Sequence, residues 1–483
     1  MSELLDADPD ALERAPAPNR SSRGLTGWAG ALVFGAAAAL GVALAWGFSV
    51  DDALISGRVA HQLALGAGYR FNPDGPRVDA VTPLGWAPLL APLARAGAWQ
   101  AVTAASVGGA LAWVLAAFAL GRRCAEVCAG WRLGALALVL ASCLPLGAWA
   151  VSGMETAFVI ALGVAALGSS RWGALAAGLA AAWRPELAPW AIALSLGQAI
   201  ARRAPLGERV VAVAVALGPA LAVALCRLAL FGHPAPLAVF AKPSDTEHGL
   251  RYALGAALLA GPPYLLLAAR AWRSVPRQHV AIGVACGVHL VVLAGVGGDW
   301  MPFWRLAMPV FPGVMLVGAG LLAATAPRVA ALRLVPVFAC AALLHAGRGA
   351  ATRAVRAERA PLVAALPALL EPARRVATLD VGWVGAAGDY SVIDLAGVTD
   401  PEVAYLPGGH TSKRLPPDFL ERRRVDALVL LAPTPRTEPA RYARQVEAHV
   451  MQLRGADAFR EVGRIALDAT QEYVVLRRES GPE

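Results

Sequence analysis

The sequence predicts an α-helical polytopic membrane protein, with about eleven transmembrane helices and a small C-terminal α/β domain outside the cytoplasm. Three observations carry this expectation. The apolar share is 57%, the charged share 16% and the mean hydropathy +0.54, more than a soluble chain of 483 residues needs for its core. Long apolar runs recur through the first two thirds of the chain. Near residue 350 the pattern changes to short β-like runs alternating with helix.

Residues 1–24 (MSELLDADPDALERAPAPNRSSRG) are polar and proline-containing and read as a disordered cytoplasmic tail. Arg20 and Arg23 precede the first apolar run as in an uncleaved anchor with its N-terminus inside. The membrane domain is expected over 25–349. Its apolar runs lie at 27–48, 97–120, 133–150, 154–169, 172–184, 186–200, 208–230, 250–269, 279–297, 303–325 and 330–347. Most reach the roughly 20 residues that a hydrocarbon core requires; 154–169, 172–184 and 186–200 are short. One continuous helix over 172–200 would bury Arg184 and Glu186 at mid-bilayer and lose a hydrogen bond at Pro185. A break there keeps Arg122, Arg123, Arg132, Arg171, Arg202, Arg203, Arg209, Arg270, Arg273, Arg277, Arg328 and Arg333 on one side, as the positive-inside rule demands. This gives eleven crossings, N-terminus in and C-terminus out, in a bacterial plasma (inner) membrane. The stretch 82–95, with three prolines, reads as an interfacial or re-entrant piece of a long first external loop, 49–96.

The C-terminal domain is expected over 350–483, with strands at 376–379, 391–395, 426–431, 461–467 and 472–477 and a helix over about 439–455. No sequence repeat is visible. The net charge of +9 comes from arginines between apolar runs, which indicates membrane topology and not a nucleic-acid partner. Lysine occurs only as Lys242 and Lys413 against some forty arginines, so each lysine is informative. No cysteine follows Cys340, which excludes a disulfide framework in the exported domain. Cys124 and Cys128 lack the further ligands of a metal site.

With this topology the unusual polar residues fall on the external face. Asp51-Asp52 opens ALISGRVAHQLALG, an amphipathic helix expected to lie along the membrane. Adjacent carboxylates there suit a general base, since desolvation and like charge raise one pKa; capping by Asp52, with Asp51 on the helix dipole, explains them equally. Ser152-Gly153-Met154-Glu155-Thr156 sits in the second external loop, where Glu155 either joins a site or starts a helix. Arg184-Pro185-Glu186 is in the third, as a site element or an internal ion pair. Lys242 ends Phe231–Lys242 (FGHPAPLAVFAK) and is either a snorkelling anchor or a compact point charge for phosphate. Gly297-Gly298-Asp299-Trp300-Met301-Pro302 leads to Arg305 one turn on. Charges gathered at membrane depth on one face mark a site.

These stretches resemble the GT-C class of membrane glycosyltransferases that use polyprenyl-phosphate sugars. Within it they are most similar to the bacterial group that adds terminal β-1,2-linked arabinofuranose. The resemblance is carried by DDALISGRVAHQLALGAGYRFNPDGPRVDAVTPLGW (51–86), SGMETAF (152–158), WRPE (183–186), FGHPAPLAVFAK (231–242), GGDWMPFWRLAMPV (297–310) and DVGWVGAAGDYSVIDLAGVTDPEVA (380–404). The chain departs from the group at Gly57, usually aromatic, near Thr82, and at Pro236-Leu237-Ala238, usually Pro-Asn-Thr, so the sugar is left open. The resemblance implies an enzyme that transfers a sugar from a polyprenyl-phosphate donor to an envelope glycan, lipid or protein acceptor. It places catalysis on Asp51 and Asp52, with Asp51 preferred, and the donor phosphate on Lys242, Arg184 and Arg305. Arg58, Glu155, Glu186 and Asp299 would support them. No cofactor is demanded; a divalent cation, Mg2+ or Ca2+, bridging carboxylate and phosphate is allowed. The exported domain would hold a glycan or glycolipid acceptor or brace the loops, and membrane lipid is the remaining partner. A transporter or flippase for a lipid-linked sugar, or a non-catalytic assembly protein of the same fold, are the competing readings.

Overall fold

A computed structural model describes residues 20–268, 270–434 and 442–479. The tail expected over 1–24 lies outside the described residues up to residue 19, and the first helix, Arg20–Ala45, already includes its last five residues. Among the described residues six helices are long and apolar enough to cross a membrane: Thr26–Ala45 within that first helix, Ala98–Val127, Leu206–Phe231, Arg277–Val296, Pro302–Ala323 and Pro327–Leu370. A seventh arises if the pair Trp131–Ser142 and Leu144–Val151, bent by 54°, counts as one span. The eleven expected crossings are therefore not all met by length. The runs at 154–169, 172–184, 186–200 and 250–269 form Thr156–Ala166, Arg171–Trp183, Ala188–Ala201 and Thr246–Leu258, of 11 to 14 residues. At 1.5 Å per residue these reach roughly 20 Å, short of a hydrocarbon core of about 30 Å. The break at Arg184-Pro185-Glu186 is present, as a 3-10 turn Pro185–Leu187 between two helices that pack on each other.

Burial separates two kinds of long helix. Only 6% of the apolar stretch in Leu206–Phe231 is buried in the protein, against 94% in Pro302–Ala323. An apolar helix so bare is unfavourable in water and ordinary in lipid. Several of the expected one-sided arginines cap helix ends at one end of the bundle. Arg132 donates to the carbonyls of Ala323 and Thr325 at 3.2 and 2.7 Å, and Arg333 to Leu321 and Leu265. Ala323 lies roughly 30 Å along its segment from Arg305.

The C-terminal sheet has the order β2-β1-β3-β5-β4, with β1 Arg375–Thr378, β2 Ser391–Asp394, β3 Ala427–Pro433, β4 Phe459–Ala466 and β5 Gln471–Arg478. All five expected strands are present. β1 runs parallel to β2 and β3, and β5 is antiparallel to β3 and β4. Of the helix expected over 439–455, residues 439–441 fall outside the described residues and the remainder yields only Gln445–Val450. Alternation along the strands divides the domain between two cores. Ala377, Ile393, Leu428, Leu430 and Val474 face Phe419 and Val446. Val376, Val392, Val429, Tyr473 and Val475 join Leu362, Leu366 and Leu370 in a core continuous with the membrane helices. The boundary expected at 349/350 falls inside Pro327–Leu370, whose 44 residues carry it well beyond the bilayer and under the sheet.

The first loop seats this domain. Helix Asp51–Ala64 buries nine of its residues between Ala98–Val127, Trp86–Leu90 and the short helix Val381–Gly385. It is thus a packed strut. In 82–95 only Trp86–Leu90 and a turn at Ala91–Leu93 form, with Leu89 and Leu93 exposed.

Candidate active site

Segments far apart in sequence line one cavity of about 580 Å³. The first loop contributes Asp52, Ser56 and Ala80–Pro83, the second Met154, the third Arg184 to Glu186. The loop after Leu206–Phe231 supplies Pro236 and Lys242, the approach to Pro302–Ala323 supplies Asp299, and the start of that segment supplies Arg305. Of the expected site residues, the cavity therefore collects Asp52, Lys242, Arg184, Arg305, Glu186 and Asp299.

Arg305 sits between two carboxylates. Its Nε donates to Asp299 Oδ2 at 2.7 Å and its Nη1 to Asp52 Oδ2 at 3.3 Å, and its guanidinium lies 5.6 Å from the centre of the Trp149 ring. Phe303 and Trp304 just before it adopt positive φ, a left-handed turn that large side chains rarely take and that turns the chain ahead of Arg305. Arg184 is likewise shared, 3.4 Å from Glu155 and 3.4 Å from Glu186. Glu155 stands at the start of Thr156–Ala166 but makes no side-chain cap; it is a fully buried partner of Arg184 behind the cavity wall. Against the upward push of burial, Arg305, then Lys242 and Arg184, hold the Asp299 carboxyl below its usual range. Lys242 makes no ion pair with a described residue. Among the carboxylates of these ion pairs Asp52 is the most open, at 22% side-chain exposure against 14% for Glu186, 6% for Asp299 and none for Glu155.

Asp51 is placed differently from the expectation that preferred it as base. Its carboxylate accepts the backbone N–H groups of Gly382 and Trp383, at 3.0 and 2.8 Å, at the start of Val381–Gly385. Burial, then the Asp380 carboxylate beside it, push its pKa well above the usual range. Neither aspartate caps its own helix, whose N-cap is Val50 without a side-chain bond. Arg58, expected as a supporting residue of the site, is also a clamp. It donates to the carbonyls of Phe71, Gly388 and Tyr390 at 3.0, 2.9 and 2.7 Å, and to that of Gly385. Asn72 exchanges two hydrogen bonds with Val392 at 2.8 and 2.9 Å.

Some of the site lay beyond the sequence expectations. Arg227 pairs with Asp79 at 3.2 Å, donates to Val81 and Thr82, and so fixes one cavity wall. The Asp79 carbonyl accepts the N–H of Leu237 at 3.2 Å, tying in the Lys242 loop. An arginine inside an apolar run was the available signal. Burial raises the Asp79 carboxyl to about 6, with Arg227 opposing. From the C-terminal domain, Val398 lines the cavity, Tyr405 packs on Phe240 with ring centres 5.4 Å apart, and His410 meets Trp300 at 5.0 Å. Val398 falls in the 380–404 stretch that carries the family resemblance, whereas nothing in the local sequence marks Tyr405 or His410.

Two of the cavity carboxylates, Asp52 and Asp299, share the Arg305 guanidinium, and among the described residues no three of His, Cys, Asp or Glu gather to hold a metal. A domain of unknown function (DUF8728) matches residues 351–475, which run from the outer part of Pro327–Leu370 through most of β5. No curated protein and no solved structure matches the chain.

Proposed function

We propose that this protein is a membrane glycosyltransferase that moves a sugar from a polyprenyl-phosphate donor to a hydroxyl of an envelope glycan, lipid or protein on the extracytoplasmic face. One observation carries the reading. A single, mostly apolar cavity holds an accessible carboxylate, Asp52, and a cation without a carboxylate partner among the described residues, Lys242, and is bordered by exposed Val239 and Val296. An apolar flank beside an unpaired ammonium suits a lipid chain joined to a phosphate. The likeness to GT-C enzymes agrees with it.

In this mechanism the donor phosphate lies against Lys242, with Arg184 and Arg305 behind. The acceptor oxygen attacks the anomeric carbon as its proton passes to Asp52. The bond from that carbon to the phosphate oxygen breaks, and the lipid phosphate leaves with the electron pair, its charge met by the fixed cations. Asp299 and Glu186 hold those cations in place. We infer a plasma-membrane protein with its N-terminus inside and the C-terminal domain outside. Its passes number eleven when the four half-length helices count as crossings.

Lys242 tests enzyme against transporter. Lys242→Gln should weaken donor binding ten- to hundredfold, the equivalent of a charge-assisted bond of about 1.5–3 kcal/mol, and Lys242→Arg should recover part of it. Labelled lipid moved across vesicles without any glycosylated product would make the chain a transporter. Unchanged donor binding in Lys242→Gln would make the lysine an anchor.

A further inference from the structure

Trp300 follows Asp299, a wall residue of the cavity, but does not itself line it. It is 56% exposed, unusual for the largest apolar side chain when it adjoins a buried ion pair. His248 stacks on it, ring centres 4.1 Å apart and planes 16° from parallel, held by a 2.7 Å contact between His248 Nδ1 and the Gly297 carbonyl. His410, from the C-terminal domain, meets the indole at 53°, leaving a wedge where parallel rings would close.

The loop bearing His410 is braced from below. Lys413 is buried, and its Nζ donates to the carbonyls of Ala404 and Leu406 at 2.8 and 2.9 Å. One of the chain's two lysines thus fixes the loop that crosses toward the cavity. Burial, then the charge of Lys242, push His410 down to about 4 against the pull of Asp52 and Asp299. At neutral pH its imidazole is uncharged and offers one donor and one acceptor.

We propose that Trp300 and His410 form the acceptor subsite, a platform for a sugar ring built jointly by the membrane domain and the C-terminal domain. The inference rests on the transferase reading above. A sugar presents an apolar C–H face, which suits an exposed indole, and a rim of hydroxyls, which suits a neutral imidazole. A ring held there lies beside Asp299 and next to the cavity that holds Asp52. The C-terminal domain then takes part in choosing the acceptor, while the donor phosphate stays with the membrane helices.

The test uses the full-length protein in lipid nanodiscs with two octyl glycosides, a furanoside and a pyranoside, as acceptor probes and a polyprenyl-phosphate sugar as donor. Trp300→Ala should weaken binding of the preferred glycoside roughly tenfold, leave donor binding unchanged, and be largely rescued by Trp300→Phe. His410→Gln should weaken the same glycoside several-fold with the thermal midpoint at neutral pH held. Equal loss of donor and acceptor binding would overturn the subsite. So would unchanged glycoside binding with reduced membrane insertion, the behaviour of an interfacial anchor. Wild-type protein that binds both probes and forms no product would refute the transferase reading and leave the platform standing, because direct glycoside binding does not depend on turnover.

Discussion

Asp51 and Asp52 are neighbours with different roles because successive residues on a helix point about 100° apart. One side chain turns to the C-terminal domain and the other to the cavity. Asp52→Asn is therefore expected to abolish transfer while lowering the thermal midpoint only slightly, since the amide keeps the shape and Arg305, losing one of its two carboxylates, keeps Asp299. Asp51→Asn keeps one acceptor oxygen for two N–H groups, so it should cost about 1–3 kcal/mol of stability and retain measurable turnover. The reverse pattern, seen in paired melting and product assays, would return the base to Asp51. His410 offers a pH test. Its folded pKa of about 4 lies below the 6.5 of a free imidazole, so its stabilisation is present in full above pH 6.5 and is lost as the pH falls through 4. The thermal midpoint of the wild type should drop more steeply between pH 7 and 4 than that of His410→Gln. Parallel curves would show that His410 is solvated.

At the scale of elements, the contact between Asp51–Ala64 and Val381–Gly385 joins the two parts of the molecule. It depends on Gly382, where an added Cβ would collide with the Asp51 backbone carbonyl and crowd its carboxylate. Gly382→Ala is expected to cost about 1–3 kcal/mol by overpacking and to raise protease sensitivity between 371 and 400; a variant as resistant as wild type would remove this contact from the account. The five strands were legible in advance because β-branched and aliphatic runs between turns are local signals. The end of Pro327–Leu370 was not, since its outer half is stabilised by packing under β4 and β5 and not by the change in composition at residue 350. The short length of four of the apolar helices was not legible either. Part of their apolarity serves burial against other helices and part, as at Leu250, Leu254 and Leu258, stays exposed, and hydropathy reads both the same way.

For the whole molecule, the arginines at one end of the bundle and the cavity at the other define two faces. Cysteines introduced near Arg202 and Arg273 are expected to resist a membrane-impermeant thiol reagent added from outside, and one at Glu371 to react. Labelling of 201–209 from outside would invert the orientation and remove the cavity from the extracytoplasmic face. The shared core through Leu362, Leu366 and Leu370 makes the C-terminal domain a structural part of the membrane domain, beyond a tethered appendage.

The sequence alone determined what short-range physics controls: the apolar runs, the break at Pro185, the strands, and the rare polar clusters of the connecting loops. Side-chain type and spacing fix hydropathy and turns within a few residues, so these are readable without a fold. Only the tertiary structure decided which aspartate faces the cavity, that Arg58 is a clamp, that Arg227 anchors a wall, and that Trp300 and His410 meet. Those assignments depend on contacts between residues a hundred or more positions apart, whose geometry no local pattern encodes.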